Sequence, residues 1–315
     1  MLRFHQAVTL AALLIVSPFL NLTARAEALK FAWPDGASAK VSARSEGRRV
    51  GTGTDVKWNM SADFTMQVRR AGDRVVISRD GFSGWKGTYP PSFGGGAERF
   101  TDMIPTLIVS ADGKFIGIEG HETARKLINQ SVAQSGGLDA MQRSVFVNMT
   151  TDASLGAMAK DHWSSLVGLW EDVELDPEAS YELSGANPVP QLGGGLLEIS
   201  GEVKFVKETP CASGGGQQRC AHFRAETAAN REQVTKLVQS LLKNAAGGNP
   251  VITDWDQRIR VEIVVDKATT LPQQFTLTRF HSLKVRVGDR TEGGTEEVTK
   301  FYTFDWTLPG GGQKK

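Results

Sequence analysis

A handful of histidines, cysteines and carboxylates are the residues of this 315-residue chain whose types can do chemistry. In "EGHETAR", Glu119, His121 and Glu122 bring three metal-ligand types to a strand-to-helix junction. The spacing argues against a metal. His121 and Glu122 are adjacent, no H-E-x-x-H follows, and acids at a helix start are favoured by the helix dipole alone. In "AKDHWSS", a hydrolase needs Asp161 to orient His162 beside Ser164 or Ser165. Adjacent helical residues do not face one another, so His162 reads as a helix-face residue that meets a sheet. "GFSGW", around Ser83, lacks the second spacer of a G-x-S-x-G elbow. His222 and His281 fall on predicted strands and His5 in a leader, which is no zinc pattern. The acid pairs Asp172/Glu174 and Glu296/Glu297 read as solvated faces, since a glycosidase pair is defined by a separation in space. Asn59-Met60-Ser61 and Asn148-Met149-Thr150 match the glycosylation sequon, a frequent chance match. The sequence therefore predicts no catalytic residue, no metal and no cofactor.

Cys211 and Cys220 flank the loop "ASGGGQQR" between two predicted strands. Paired hairpin strands hold opposite Cα atoms at a distance that a disulfide spans. Eight intervening residues are not a C-x-x-C, and there is no second pair for a metal site. A structural disulfide is the expectation. Glycine clusters at 94–96, 193–195, 214–216, 247–248 and 293–294 separate periodic segments and read as loops. None follows a strand and opens a helix, as dinucleotide and phosphate loops require.

These residues sit in a chain that reads as exported. Arg3, the apolar run Ala7 to Ile15, and Ala24-Arg25-Ala26 have the form of a secretory signal peptide over residues 1–26, with cleavage near Ala26. The apolar run is shorter than the roughly 20 residues of a membrane span, and no other stretch reads as one. Losing Arg3 and Arg25 takes the basic count from 36 to 34 against 35 acids. A near-neutral chain gives no electrostatic case for nucleic acid. The expected location is periplasmic or secreted, soluble after cleavage.

Residues 27–308 read as one large α+β domain, with a disordered tail at 309–315. Residues 27–120 form a β-rich half, in which 29–34 and 39–46 make a first hairpin around "PDGA". Asp112-Gly113 marks a tight turn in a further hairpin. The period changes to helical over 121–170, read as three short helices, with "TTDAS" capping the last. There Leu155, Met158, Ala159, His162, Trp163, Leu166, Val167 and Trp170 form one broad apolar face. Strands return from "DVELDPEASYEL" onward, interrupted by an amphipathic helix at about 229–246. The last strand carries Val298, Tyr302, Phe304, Trp306 and Leu308 on one face.

The strongest pattern is "DVKWNMSADFTMQVRR", where every even position from Val56 to Val68 is apolar and every odd one polar. Thirteen residues at about 3.3 Å each span about 43 Å, against about 5–6 residues for a common strand. Strict alternation is antiparallel behaviour with one solvated face. Hiding seven apolar side chains contributes at most about 10–15 kcal/mol, so something must cover them. A strand this long twists and coils. The expected fold is therefore a long, curved antiparallel sheet, a half-open barrel, with the helical block packed on its concave face. A second sheet packed on it as a sandwich is the alternative cover; under helices, the face is either filled core or an apolar groove, with Trp58, Met60, Phe64 and Met66 on the strand facing Trp163, Leu166 and Trp170 on the helix.

A signal peptide, long alternating antiparallel strands, a central helical insertion and returning strands together resemble the LolA, LolB and LppX-type lipoprotein and lipid carriers of bacterial envelopes. The chain also resembles uncharacterised exported bacterial proteins. The carrier resemblance covers most of 27–308 at the level of architecture, without a shared motif. It implies an unclosed barrel with a helical lid and a cavity for acyl chains. Three functions stay open: a non-enzymatic protein binding a lipid or lipoprotein acyl chain, a filled-core envelope protein acting on an envelope partner through its surface, and an exported hydrolase.

Overall fold

The computed structural model describes residues 27–51, 53–88, 101–134, 147, 150–189, 195–211, 218–236, 239 and 251–309. The expected leader at 1–26, the expected tail at 309–315 apart from Pro309, the middle helix of the predicted three and most of the predicted helix at 229–246 lie outside them. Residues 231–236 are helical, as expected there.

The strands are β1 (Ser38–Gly51), β2 (Thr54–Ala71), β3 (Arg74–Asp80), β4 (Lys86–Gly87), β5 (Thr106–Ser110), β6 (Phe115–Glu119), β7 (Tyr181–Val189), β8 (Gly195–Pro210), β9 (Arg219–Ala229), β10 (Val251–Asp266), β11 (Pro272–Val287) and β12 (Arg290–Thr307). They form one open, curled, antiparallel sheet in the order β6-β5-β3-β2-β1-β12-β11-β10-β9-β8-β7, with the short β4 on β2. Within β1–β3 and within β7–β12 consecutive strands are neighbours, β3 pairs with β5, β6 and β7 lie at the two edges, and β1 pairs with β12 along its whole length. That pairing joins the first half of the chain to the last.

The sequence alternation becomes a sheet face. In β2, Trp58, Met60, Ala62, Phe64, Met66 and Val68 are all buried and the residues between them are exposed or half-buried. Register carries the face sideways. Ala62 lies opposite Ala43, then come Tyr302, Phe275, Ile263, Phe223 and Phe205, one buried row across seven strands. The other face is polar, with cross-strand pairs such as Arg48 to Asp55 and Arg224 to Glu262.

Two helices are described from end to end, α1 (His121–Gln134) and α2 (Asp152–Trp163). Thr151 caps α2, accepting a hydrogen bond from the Ser154 amide, as "TTDAS" predicts. After Trp163 the chain continues as a π-helical turn, Ser164–Gly168. Leu155, Ala159, His162, Trp163, Leu166, Val167 and Trp170 are buried, so the helical face is real, although regular α-helix ends before Leu166.

Two expected strands are corrected. Residues 29–34 do not pair with 39–46, and β1 instead pairs with β2 and β12. The N-terminal segment crosses the sheet end as a strap, with one isolated bridge from Ala28 to Glu174. Its fully buried Trp33 donates from Nε1 to the Thr270 carbonyl at 2.9 Å and packs edge-on against Trp163 and Trp306. Its apolar residues are bound by aromatic packing, which mimics a strand pattern. Likewise, "DVELDPEASYEL" is turns and a single bridge until β7 opens at Tyr181. Asp172 takes a left-handed backbone there, with φ 63°, which a strand does not allow.

Cys211 and Cys220 are joined in a disulfide with Cα atoms 5.1 Å apart, at the end of the β8–β9 pair. No described helix is long and apolar enough to cross a membrane.

Gly47 sits opposite Trp58, and a Cβ there would lie 2.1 Å from the indole ring. Gly47→Val should therefore lower unfolding free energy by about 1–3 kcal/mol, the usual cost of overpacking. Urea denaturation measures it, and Trp58→Leu in the same background should recover part of the loss.

Candidate functional site

The inner face of the sheet is not wholly apolar. In β12 the inward positions run Glu296, Val298, Lys300, Tyr302, Phe304 and Trp306, so two charges stand in phase with the core. Arg79 takes the inward phase of β3 after Val75 and Ile77. Arg279 follows Phe275 and Leu277 on β11.

Two of these charges, Arg79 and Lys300, meet around Asp102, which the segment 101–105 lays against the sheet. Arg79 is 6 % exposed, Asp102 1 % and Lys300 2 %. Lys300 Nζ is 3.3 Å from Asp102 Oδ2 and donates to Tyr302 Oη at 3.2 Å. Tyr302 Oη lies 3.0 Å from each Asp102 oxygen. The Lys300 ammonium also stands 5.3 Å from the centre of the Trp85 ring, a favourable cation–π placement. Arg79 donates from Nη1 to the Thr101 carbonyl, and its backbone amide donates to the Pro105 carbonyl at 2.7 Å. Its guanidinium lies over the Phe64 ring at 5.8 Å. Burial lowers the Arg79 guanidinium from its ordinary value, and the Asp102 charge works against that shift.

His162 closes the cluster from α2. Its ring meets Phe275 edge-on at 5.8 Å and Tyr302 at 5.9 Å. Burial holds it far below the ordinary value of 6.5, and the cations Arg79, Lys300 and Arg279 push it the same way. It is neutral at pH 7.

The residues expected to line a groove border this cluster. Met66 is the cross-strand partner of Arg79, Phe64 lies under its guanidinium, and Met60 is two strands from Lys300 through Ser45. Trp58 lies at Gly47, beside a polar depression of about 390 Å³ that Arg48, Lys57 and Glu297 rim on the outer face. Trp163, next to His162, donates to the Gly113 carbonyl at 2.7 Å and packs on Phe31 and Trp33. Trp170 donates to the Leu166 carbonyl at 2.8 Å. All seven are buried.

The other sequence candidates are dispersed. His121 and Glu122 open α1, and Glu119 ends β6. Asp161 pairs with Arg279 at 3.2 Å, and the Ser165 hydroxyl donates to the Asp161 carbonyl at 3.0 Å. Ser83 is exposed before Trp85. His222 is 3.5 Å from Glu262. Among the described residues, the three ligand-type groups that cluster are Cys211, Cys220 and Asp266, and both sulfurs are consumed by the disulfide. Glu296 and Glu297 fall on opposite faces. Glu296 is buried against Arg49, which corrects the reading of that pair as solvated.

Sequence reasoning missed Arg79, Asp102 and Lys300. The signal was present for two of them, as charges at inward positions of otherwise apolar alternations. Asp102 had none, since it lies in an aperiodic segment. No family model matches the chain, and no curated protein matches it either.

Two predictions follow from burial. Asp102→Asn or Lys300→Met alone leaves a buried charge without its partner and should cost about 3–5 kcal/mol, whereas the double variant should cost less than the sum. Chemical denaturation of the four proteins measures the coupling. For His162, the unfolded chain binds a proton below pH 6.5 that the folded chain does not, so stability falls as pH falls below that value. His162→Leu should remove up to about 1.4 kcal/mol of that loss per pH unit, read as the wild-type-minus-variant difference between pH 7 and pH 5.

Proposed function

We propose that this is an exported, non-enzymatic protein that holds a lipid or lipoprotein acyl chain between the inner face of its sheet and the helices over it. In this reading the sheet is a half-open barrel, its concave face is the inner one, and 121–170 serve as the cover. The observation that carries the reading is the buried row across seven strands, in a protein whose described strands all belong to one sheet. Strands as long as β2 and β12, at 18 residues each, give such a face the length of an acyl chain. Trp58, Met60, Phe64 and Met66 would form one wall, with Trp163, Leu166 and Trp170 the other. Met suits the role because its flexible thioether adapts to variable apolar partners. The resemblance of the sequence pattern to LolA, LolB and LppX-type carriers supports the same reading.

One observation favours a second reading, a filled-core envelope protein that works through its surface. All seven proposed wall residues are already buried among their neighbours. The two readings separate in one experiment. Protein expressed with its leader and purified without detergent is titrated with a dansyl-labelled fatty acid and weighed by native mass spectrometry. The lipid reading expects saturable one-to-one binding, weakened about tenfold or more by Phe64→Ala, the loss of one buried aromatic contact. Absence of saturable binding and of any adduct mass would establish the filled core.

A further inference from the structure

We propose that the bound lipid carries an anionic head group, a carboxylate or phosphate monoester, and that Arg79 receives it through Nε. The inference rests on the lipid-binding reading above and specifies its ligand. Four cations stand on the inner phase of the central strands: Arg49, Arg79, Arg279 and Lys300. Three have a carboxylate within ion-pair distance, namely Glu296, Asp161 and Asp102 respectively. Arg79 has none. Asp102, the anion in its electrostatic reach, is held by Lys300 and Tyr302. Arg79 is more than nine-tenths buried, yet its Nε–H has no acceptor.

An unmet donor on a buried guanidinium is costly, because the group has left water without replacing it. The edge that includes Nε presents parallel N–H groups, whose spacing fits two oxygens of a carboxylate or phosphate. The surroundings supply the rest of an amphipathic site. Phe64 and Met66 flank Arg79, and Met60 and Trp58 continue the same face of β2, so an alkyl chain attached to the head group has apolar surface to follow. A neutral head group can accept from Nε but brings no charge to offset the buried guanidinium.

Calorimetric titration of the whole exported protein with dodecanoate, dodecyl phosphate, dodecanol and inorganic phosphate tests this. The expected result at pH 7.5 is binding of both alkyl anions at least about tenfold tighter than dodecanol, with inorganic phosphate alone not binding. Equal affinity for anion and alcohol would overturn the anionic head group and leave the lipid reading standing. Failure of all three alkyl ligands would overturn both, and binding of inorganic phosphate alone would replace the lipid head by a free anion. Arg79→Gln should abolish the preference and keep dodecanol binding. If that variant does not fold, the wild-type pH profile decides. Dodecanoate should lose its advantage as its carboxyl protonates, near pH 4–5, while dodecanol stays level. The protein groups around Arg79 are Asp102 on the 101–105 segment, Lys300 and Tyr302 on β12, and His162 on α2. Parallel profiles for the two ligands would overturn the proposal.

Discussion

An antiparallel sheet that hides one face hides whatever its alternate residues carry, charges included. This constraint organises the molecule. The side-chain period of two sends Arg79, Lys300, Arg279 and Glu296 inward with Ile77, Tyr302, Phe275 and Val298. Once inside, each charge needs an opposite charge or a hydrogen bond, because an isolated buried ion costs several kcal/mol. The covering segments meet that need. Asp102 comes from the aperiodic stretch after β4, and Asp161 from α2. The cover therefore binds by ionic contacts at specific points as well as by apolar burial, which fixes where it sits along the strands.

Much of the fold was legible because alternation is a local signal. The inward set of β2 and the long β10 and β11 can be read in windows of a few residues, and the structure bears them out. The Thr151 cap and the Asp112-Gly113 turn are equally local. The failures came where a pattern has two causes. Leu29, Phe31 and Trp33 alternate like a strand, but they alternate because an extended strap turns every second side chain toward Trp163 and Thr270. Sequence does not distinguish a segment that packs from one that pairs.

The candidate site was half legible. Its apolar border was named residue by residue, since Trp58, Met60, Phe64 and Met66 share one face. Its charged centre was not, because an apolar count treats Lys300 and Arg79 as interruptions and passes over them. Read by phase instead, they are the most informative residues of their strands, since a charge that alternation sends inward must be met there. The anion that meets Lys300 lies 198 residues away along the chain, and no local pattern announces it.

The pairing of β1 with β12 has a consequence for how the protein comes into being. β1 acquires its first neighbour, β2, almost at once, but its second is the last strand to be made. The strap waits too, since Thr270 and Trp306 are both late. Until the C-terminal strands arrive, one flank of β1 presents open amide and carbonyl groups to the solvent, the kind of edge that invites pairing with other chains. Contacts this distant in sequence also form slowly. A chain built this way gains from folding only once all of its strands are available, rather than strand by strand as they are made.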